Sequence, residues 1–171
     1  MAICAVMAAL MCILGPMYIQ IGPVPVTLIS MVIHLMVYLL GTKKSLVSFL
    51  VYFLLGMAGM PVFSGFSGGI GKIAGPTGGY LIGFFVMILT EAAVIEKAKR
   101  NIWITYAAMF TATAADYAFG TVWFVFVTKS SITYALEVCV LCFIPFDIVK
   151  IAAAVYIGRV VYGRLKRSHI V

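Results

Sequence analysis

Charge is what this chain has least of. Only 10% of its 171 residues are charged and 64% are hydrophobic, whereas a soluble domain carries about 25% charged residues. No soluble fold of this length hides so much apolar surface, so lipid must be its solvent. Carboxylates and imidazoles are scarcer still: Asp and Glu total 5 and His 2. That leaves neither a His/Glu metal cluster nor a nucleophile with its base on which to build an intramembrane enzyme. No G-x-x-x-x-G-K-[ST] occurs, so the chain has no P-loop with which to bind ATP. Cysteine is sparse and unpatterned: Cys4, Cys12, Cys139 and Cys142. The last two form a C-x-x-C, but in an apolar stretch with no His nearby, which points to packing rather than to metal or redox chemistry. The first apolar stretch lacks a basic n-region and an evident cleavage site and is expected to be a retained helix. No internal repeat is visible of the kind that inverted-repeat transporters carry.

What is present is apolar helix. Runs such as "LLGMAGM" and "IGFFVMILTEAAVI" do not alternate as the strands of a membrane barrel do. The sequence predicts an all-α integral membrane protein of one domain, 1–171, with six transmembrane helices at roughly 2–15, 25–40, 45–59, 79–97, 102–127 and 145–165. Several of these are shorter than the twenty or so residues of a usual span. If the N-terminus is inside, the inner loops hold Lys43, Lys44, Lys97, Lys99 and Arg100, and the C-terminal end adds Arg159, Arg164, Lys166 and Arg167. Only Lys72 and Lys129 fall outside, with Lys150 near the outer edge. The net charge of +7 is therefore read as a statement of orientation, both termini in the cytoplasm, and not as the footprint of a nucleic-acid partner.

The outer connections are unlike solvated linkers. The first is "GPMYIQIGPVPVT". The second, between helices three and four, is the long Gly-rich "GMPVFSGFSGGIGKIAGPTGGY" of residues 59–80. The third includes "SSITYALEVCVLC", which reads as a short helix against the rim. Irregular backbone at membrane depth is tolerated where it is buried in protein or lines a cavity, so these loops suggest a lid over an outward pocket.

Into this apolar chain the stretch "FIPFDIVKI" puts Asp147 and Lys150. Pro145 fits the first position of the sixth helix, Asp147 falls in the first turn where the helix dipole favours it, and Lys150 follows on the same face. A charge there costs several kcal/mol unless it is paired or hydrated. Two readings stand: an ion pair pinning the helix to a neighbour, or a ligand site. A neutral planar group bearing both N–H and C=O, such as a ureido or amide head, satisfies both side chains. An anionic tail would then find Lys72, the hydroxyls of Ser64, Ser67 and Thr77, and the N–H groups of the glycine loop.

At these residues the sequence resembles the BioY family, the biotin-binding S components of energy-coupling-factor (ECF) transporters. The resemblance covers essentially the whole chain. It is carried by "GMAGMPVFSGFSGG" (56–69), "GPTGGYLIGF" (75–84) and "PFDIVK" (145–150), with "GPVPVTL" (22–28) and "YAFGTVW" (117–123) in support. It implies a six-helix bundle with a biotin pocket near the outer surface, closed by the glycine loop, with Asp147 and Lys150 on the ureido head. It implies that Ser67, Gly68, Gly69, Thr77 and Tyr80 line the pocket. Some family members carry an arginine near position 67 for the valerate carboxylate; this chain has Ser67, and Lys72 is the candidate substitute. Phe66, Tyr80, Tyr117 and Trp123 are candidates to pack on the bicyclic rings. Asp116, inside helix five, has no clear counterpart and reads as shielded from lipid and paired, as protonated, or as near the pocket; His34 reads as an interhelical hydrogen-bond partner, Glu96 as solvated near Lys99 and Arg100, and His169 as a tail residue.

Ala5 and Ala9 form a small-xxx-small face on helix one, which in ECF S components docks onto the coupling subunit. The implied partners are biotin as transported ligand, the coupling transmembrane protein and two cytoplasmic ATPases, in the plasma membrane of a prokaryote, with no cofactor on this chain and ATP bound only by partner subunits. The alternatives are an S component for another vitamin, such as thiamine or riboflavin, and a non-transport membrane assembly subunit.

Overall fold

The structure, a computed structural model, describes residues 2–21, 23–98 and 100–167. Lys99 and His169, together with the side chain of Lys166, lie outside the described residues. The chain runs α1 (Ala2–Leu14), β1 (Tyr18–Gln20), β2 (Pro25–Thr27), α2 (Ile29–Met57), α3 (Ile70–Ala74), α4 (Gly78–Lys97), α5 (Ile102–Thr128), α6 (Ile132–Leu136), a π-helical turn (Glu137–Leu141) and α7 (Ile144–Arg167). Among the described residues, four helical stretches are long and apolar enough to cross a membrane: Ile29–Met57, Gly78–Lys97, Ile102–Thr128 and Ile132–Arg164. The mean hydropathy of +1.17 and the exposure of Val122, Phe126, Val149 and Tyr156 fit a molecule whose outer surface meets lipid.

The predicted second and third spans appear as the two arms of α2. Gly41 breaks the helix between them, with φ 72° and ψ −173°, a left-handed conformation that glycine adopts at little cost. A straight helix would set Ser30 and Tyr52 roughly 33 Å apart, yet both line one cavity, so the arms double back on each other at this turn. The groups freed by the break find partners from the neighbouring connection. Glu96 Oε1 accepts from the backbone N–H of Thr42 at 2.7 Å and from its hydroxyl at 2.8 Å. Arg100 donates from Nε to the Tyr38 carbonyl at 3.0 Å and lies 4.2 Å from the Tyr162 ring centre. Glu96 is thus exposed, as expected, but it caps a turn and does not merely meet solvent.

The second predicted span starts late. Residues 25–27 are not helical; they pair with Tyr18–Gln20 as a two-stranded antiparallel ribbon, Ile19 opposite Val26. Pro23 and Pro25 disfavour helix here. The third connection is helical, as expected: Ser131 caps α6 by accepting from Tyr134 N, and Ala135 and Cys139 pack with Val24, Val26 and Phe124. All four cysteines are free. Helix α7 begins one residue earlier than expected, at Ile144, with Asp147 N donating to the Phe143 carbonyl at 2.9 Å, so Pro145 still lies in the first turn where its missing N–H costs no bond.

Helices α4 and α5 approach closely because glycines face large side chains. A Cβ at Gly79 would overlap Trp123, at Gly83 the Asp116 carboxyl, and at Gly120 the Tyr80 ring. Midway along the bundle His34 Nδ1 and Glu91 Oε2 lie 2.6 Å apart, both fully buried, with Thr113 Oγ1 3.3 Å from His34 Nε2. His34 is therefore the interhelical partner that its place in an apolar helix suggested.

Candidate functional site

The cavity lies at the end of the bundle that carries the ribbon and the glycine-rich segment. Its inner chamber is walled by Ile29, Tyr52, Leu81, Phe84 and Phe143, with Ser30, Tyr80, Asp116, Tyr117, Asp147 and Lys150 supplying polar atoms. Tyr80 and Phe143 stand nearly parallel, 6.5 Å between ring centres. An outer chamber is formed by Tyr18, Gln20, Ser64, Ser67, Lys72 and Pro76. Pro25, Ser64 and Thr77 border both, so the two chambers adjoin. The outer chamber holds ≈ 420 Å³, within the range of about 300–1,000 Å³ usual for small-molecule sites, whereas the inner one holds only ≈ 70 Å³ and must widen by side-chain movement to admit a ring system.

Asp147 and Lys150 stand together on the cavity wall, only 6% and 7% exposed. Lys150 Nζ donates to Asp147 Oδ1 at 2.8 Å and to Ser30 Oγ at 3.3 Å. Ser30 Oγ is also 3.4 Å from Asp147 Oδ1, and the Tyr117 hydroxyl donates to Asp147 Oδ2. The carboxylate is thus held at both oxygens, by side chains from the first arm of α2, from α5 and from its own helix. The ammonium keeps donor capacity to spare, since it has three hydrogens. The pair is satisfied by protein groups and still borders open space, so an incoming group bearing both a donor and an acceptor meets two oriented charges.

The glycine-rich segment is pinned down, not loose. Tyr52 donates its hydroxyl to the Val62 carbonyl at 3.0 Å, Gly65 N to the Pro16 carbonyl at 3.1 Å, and Gly69 N to the Gly56 carbonyl at 2.7 Å. Phe63 and Ser67 exchange backbone bonds across a tight turn in which Gly65 and Phe66 take φ of 77° and 53°. Phe63 is fully buried, its ring seated where a Cβ on Gly56 would be. Lys72, half-buried in the outer chamber, has its pKa lowered from the ordinary lysine value because burial penalises the ammonium.

Of the residues expected at the pocket from sequence, Asp147, Lys150, Ser67, Lys72, Thr77 and Tyr80 line the two chambers. Phe66, Gly68, Gly69 and Trp123 do not. Phe66 is 68% exposed because its left-handed turn points it outward. Gly68 lies against the backbone of Gly59 and Met60, and Gly69 anchors the loop to Gly56. Trp123 donates from Nε1 to the Gly75 carbonyl at 3.0 Å and packs on Gly79, fastening the loop to α5. Asp116, for which a place near the pocket is one of the readings the sequence leaves open, lines the inner chamber, as does Ser30, which nothing in its local sequence distinguishes from a serine facing a neighbouring helix. Ala5 and Ala9 lie on the exposed face of α1.

A lipid-embedded helical bundle, with a polar-floored cavity under a pinned loop and no metal-ligand cluster among its described residues, defines an integral membrane protein built to receive a small polar molecule. The BioY family model matches residues 1–167, and the chain belongs to that family. It is 38% identical to the probable biotin transporter BioY of Pyrococcus horikoshii over 93% of each chain. It is 35% identical to the biotin transporter BioY of Thermotoga maritima, over 89% of this chain and 86% of that one. A crystal structure of the S-component for biotin from an ECF-type ABC transporter superposes with a TM-score of 0.88 at 29% identity, covering 97% of this chain and 89% of that one.

Proposed function

We propose that this chain is the biotin-binding S component of an ECF-type vitamin transporter, a transport subunit and not an enzyme. The observation that carries the reading is the Asp147–Lys150 pair, buried yet bordering an open cavity. Membership of the BioY family and relatives named as biotin transporters support it.

The ureido head of biotin enters the inner chamber. One N–H donates to Asp147, held in place by Tyr117, and the carbonyl accepts from Lys150. The bicycle lies among Tyr52, Tyr80, Leu81, Phe84 and Phe143, where apolar surface leaves water. The valerate chain extends into the outer chamber, and its carboxylate meets Lys72 and the hydroxyls of Ser64, Ser67 and Thr77. An anion there offsets the burial cost of the lysine. The fold is read as six spans, with α2 contributing two and the glycine-rich loop on the extracellular side. Both termini are cytoplasmic. Lys43 and Lys44 follow the Gly41 turn, Lys97 and Arg100 fall at the connection of α4 to α5, and Arg159 lies in the second half of α7, a distribution that supports this orientation under the positive-inside rule. The exposed Ala5 and Ala9 give a coupling transmembrane protein a face for close approach. Two cytoplasmic ATPases supply the energy, since this chain has no P-loop.

Calorimetric titration of the purified protein with biotin, thiamine and riboflavin tests the proposal. Heat of binding is expected with biotin alone. A preference for either other vitamin would reassign the substrate, and no heat with any would remove the transport reading.

A further inference from the structure

The cavity holds a second carboxyl that the Asp147–Lys150 pair does not use. Asp116 lines the inner chamber from α5, is 5% exposed, and has a buried Oδ1 with no hydrogen-bond partner. Buried polar atoms in native proteins are almost always bonded, and an orphan calls for a reason. No lysine, arginine or histidine pairs with it among the described residues. Space has nonetheless been made for it: only a glycine at position 83 leaves room for this carboxyl between α4 and α5, because a Cβ there would overlap Oδ1. A leucine or valine in place of Asp116 would pack this apolar wall without leaving a polar orphan. Oδ1 is thus enclosed against Gly83, while the side chain as a whole borders the inner chamber, so the carboxyl presents its other side to a partner that arrives from outside.

We infer that Asp116 is a further specificity-determining residue of the cavity, the acceptor for a second ring N–H of the bound ligand. This rests on the biotin reading above and deepens it. A cyclic urea offers one carbonyl and two N–H groups. Lys150 supplies a donor for the carbonyl and Asp147 an acceptor for one N–H. The remaining N–H needs an acceptor in the same chamber, and Asp116 is a carboxyl that lines it with no ion-pair partner among the described residues. Two acceptors and one donor complement an unsubstituted cyclic urea. They leave at least one carboxyl unmatched by a cyclic carbonyl compound with one N–H or none. The cavity thus selects the doubly N–H-bearing ring, by leaving buried groups unpaired when a lesser analogue enters.

The test is calorimetric titration of wild type, Asp116→Ala and Asp116→Asn with biotin and with biotin methylated at one or the other ureido nitrogen. Wild type should bind both methylated analogues roughly 5- to 150-fold more weakly than biotin, the cost of leaving a buried acceptor unpaired. Asp116→Ala should weaken biotin by a similar factor and stop discriminating against one of the two analogues. Asp116→Asn, which keeps an acceptor oxygen, should retain part of the affinity and covers the case in which the alanine variant does not fold. A residue needed only for packing would weaken biotin and both analogues alike. Unchanged biotin affinity in Asp116→Ala overturns the proposal, as does discrimination against both analogues persisting in the variants, or wild type that tolerates methylation at either nitrogen. Wild type giving no heat with biotin overturns the biotin reading itself, and this proposal with it.

Discussion

Asp147→Asn keeps the shape of the side chain and removes its charge, and the structure allows the consequence to be worked through. Asp147 accepts from Lys150 at 2.8 Å, from Ser30 at 3.4 Å and from Tyr117. In the substituted protein the amide can still accept once from Tyr117, but Lys150 is left as a buried cation beside a neutral group. Breaking a fully buried ion pair costs about 3–5 kcal/mol. Here each side chain keeps 9% of its surface exposed, so the pair is not fully buried and the loss in folding stability should fall below that range. Binding loses one charge-assisted hydrogen bond to the ligand, about 1.5–3 kcal/mol, or roughly 10- to 150-fold in Kd. Lys150→Ala should cost a similar amount through the carbonyl contact. The double variant should lose less than the sum of the two single losses, because each single change leaves its partner's charge unmatched and the second removes that penalty. Titration calorimetry of the four proteins in detergent or nanodiscs, with melting temperatures measured on the same samples, closes the cycle. Single variants that melt normally and bind with wild-type affinity would refute the reasoning and return the pair to a structural role.

Four further outcomes are expected. Lys72→Met should weaken biotin while leaving a neutral biotin amide nearly unaffected, as compared by calorimetry with both ligands. Biotin affinity should be full where Lys72 is protonated and fall as pH rises through its pKa, which burial places below the ordinary lysine value of 10.5; a pH series with the neutral amide as control reads this. Gly41→Ala forces a side chain into a left-handed conformation at φ 72°, with its Cβ 2.7 Å from Glu96 Oε1, and should destabilise the fold by about 1–3 kcal/mol, seen as a lower melting temperature with biotin affinity per folded molecule retained. Ala5→Leu with Ala9→Leu should leave biotin binding intact and weaken co-purification with the coupling protein, since both residues lie on the exposed face of α1.

The mostly helical, apolar character of the chain was legible because apolar length is a local property. Gly41 was legible as a boundary because a glycine followed by Thr42, Lys43 and Lys44 interrupts the apolar run. The Asp147–Lys150 pair stood out for the converse reason, two charges where lipid predicts none. What stayed hidden is long-range. The ribbon of Tyr18–Gln20 with Pro25–Thr27 has three residues per strand, too few for a period to register. Glu91 meeting His34, Glu96 capping Thr42 and Ser30 reaching Lys150 each join residues far apart in the chain, and one sequence carries no sign of which distant helix faces which. Phe66 and Trp123 were expected at the ligand because aromatic residues beside a glycine loop suit a bicyclic ring. One is turned outward by a left-handed backbone and the other fastens the loop, and neither orientation is written in the local residue pattern. Asp116 was conspicuous as a lone acid in helix five, but its direction depended on Gly83 in another helix.

The claim that matters most is that Asp147 and Lys150 recognise a urea. The most direct measurement is a paired titration of the wild-type protein with biotin and with iminobiotin at a pH where the latter is cationic. The guanidinium keeps the ring shape, deprives Lys150 of its acceptor and sets a positive charge against the ammonium. Tight binding of biotin with iminobiotin weaker by at least about 10-fold, the loss of one charge-assisted bond, is the predicted result. Equal affinity for the two, or no heat with either, would contradict it.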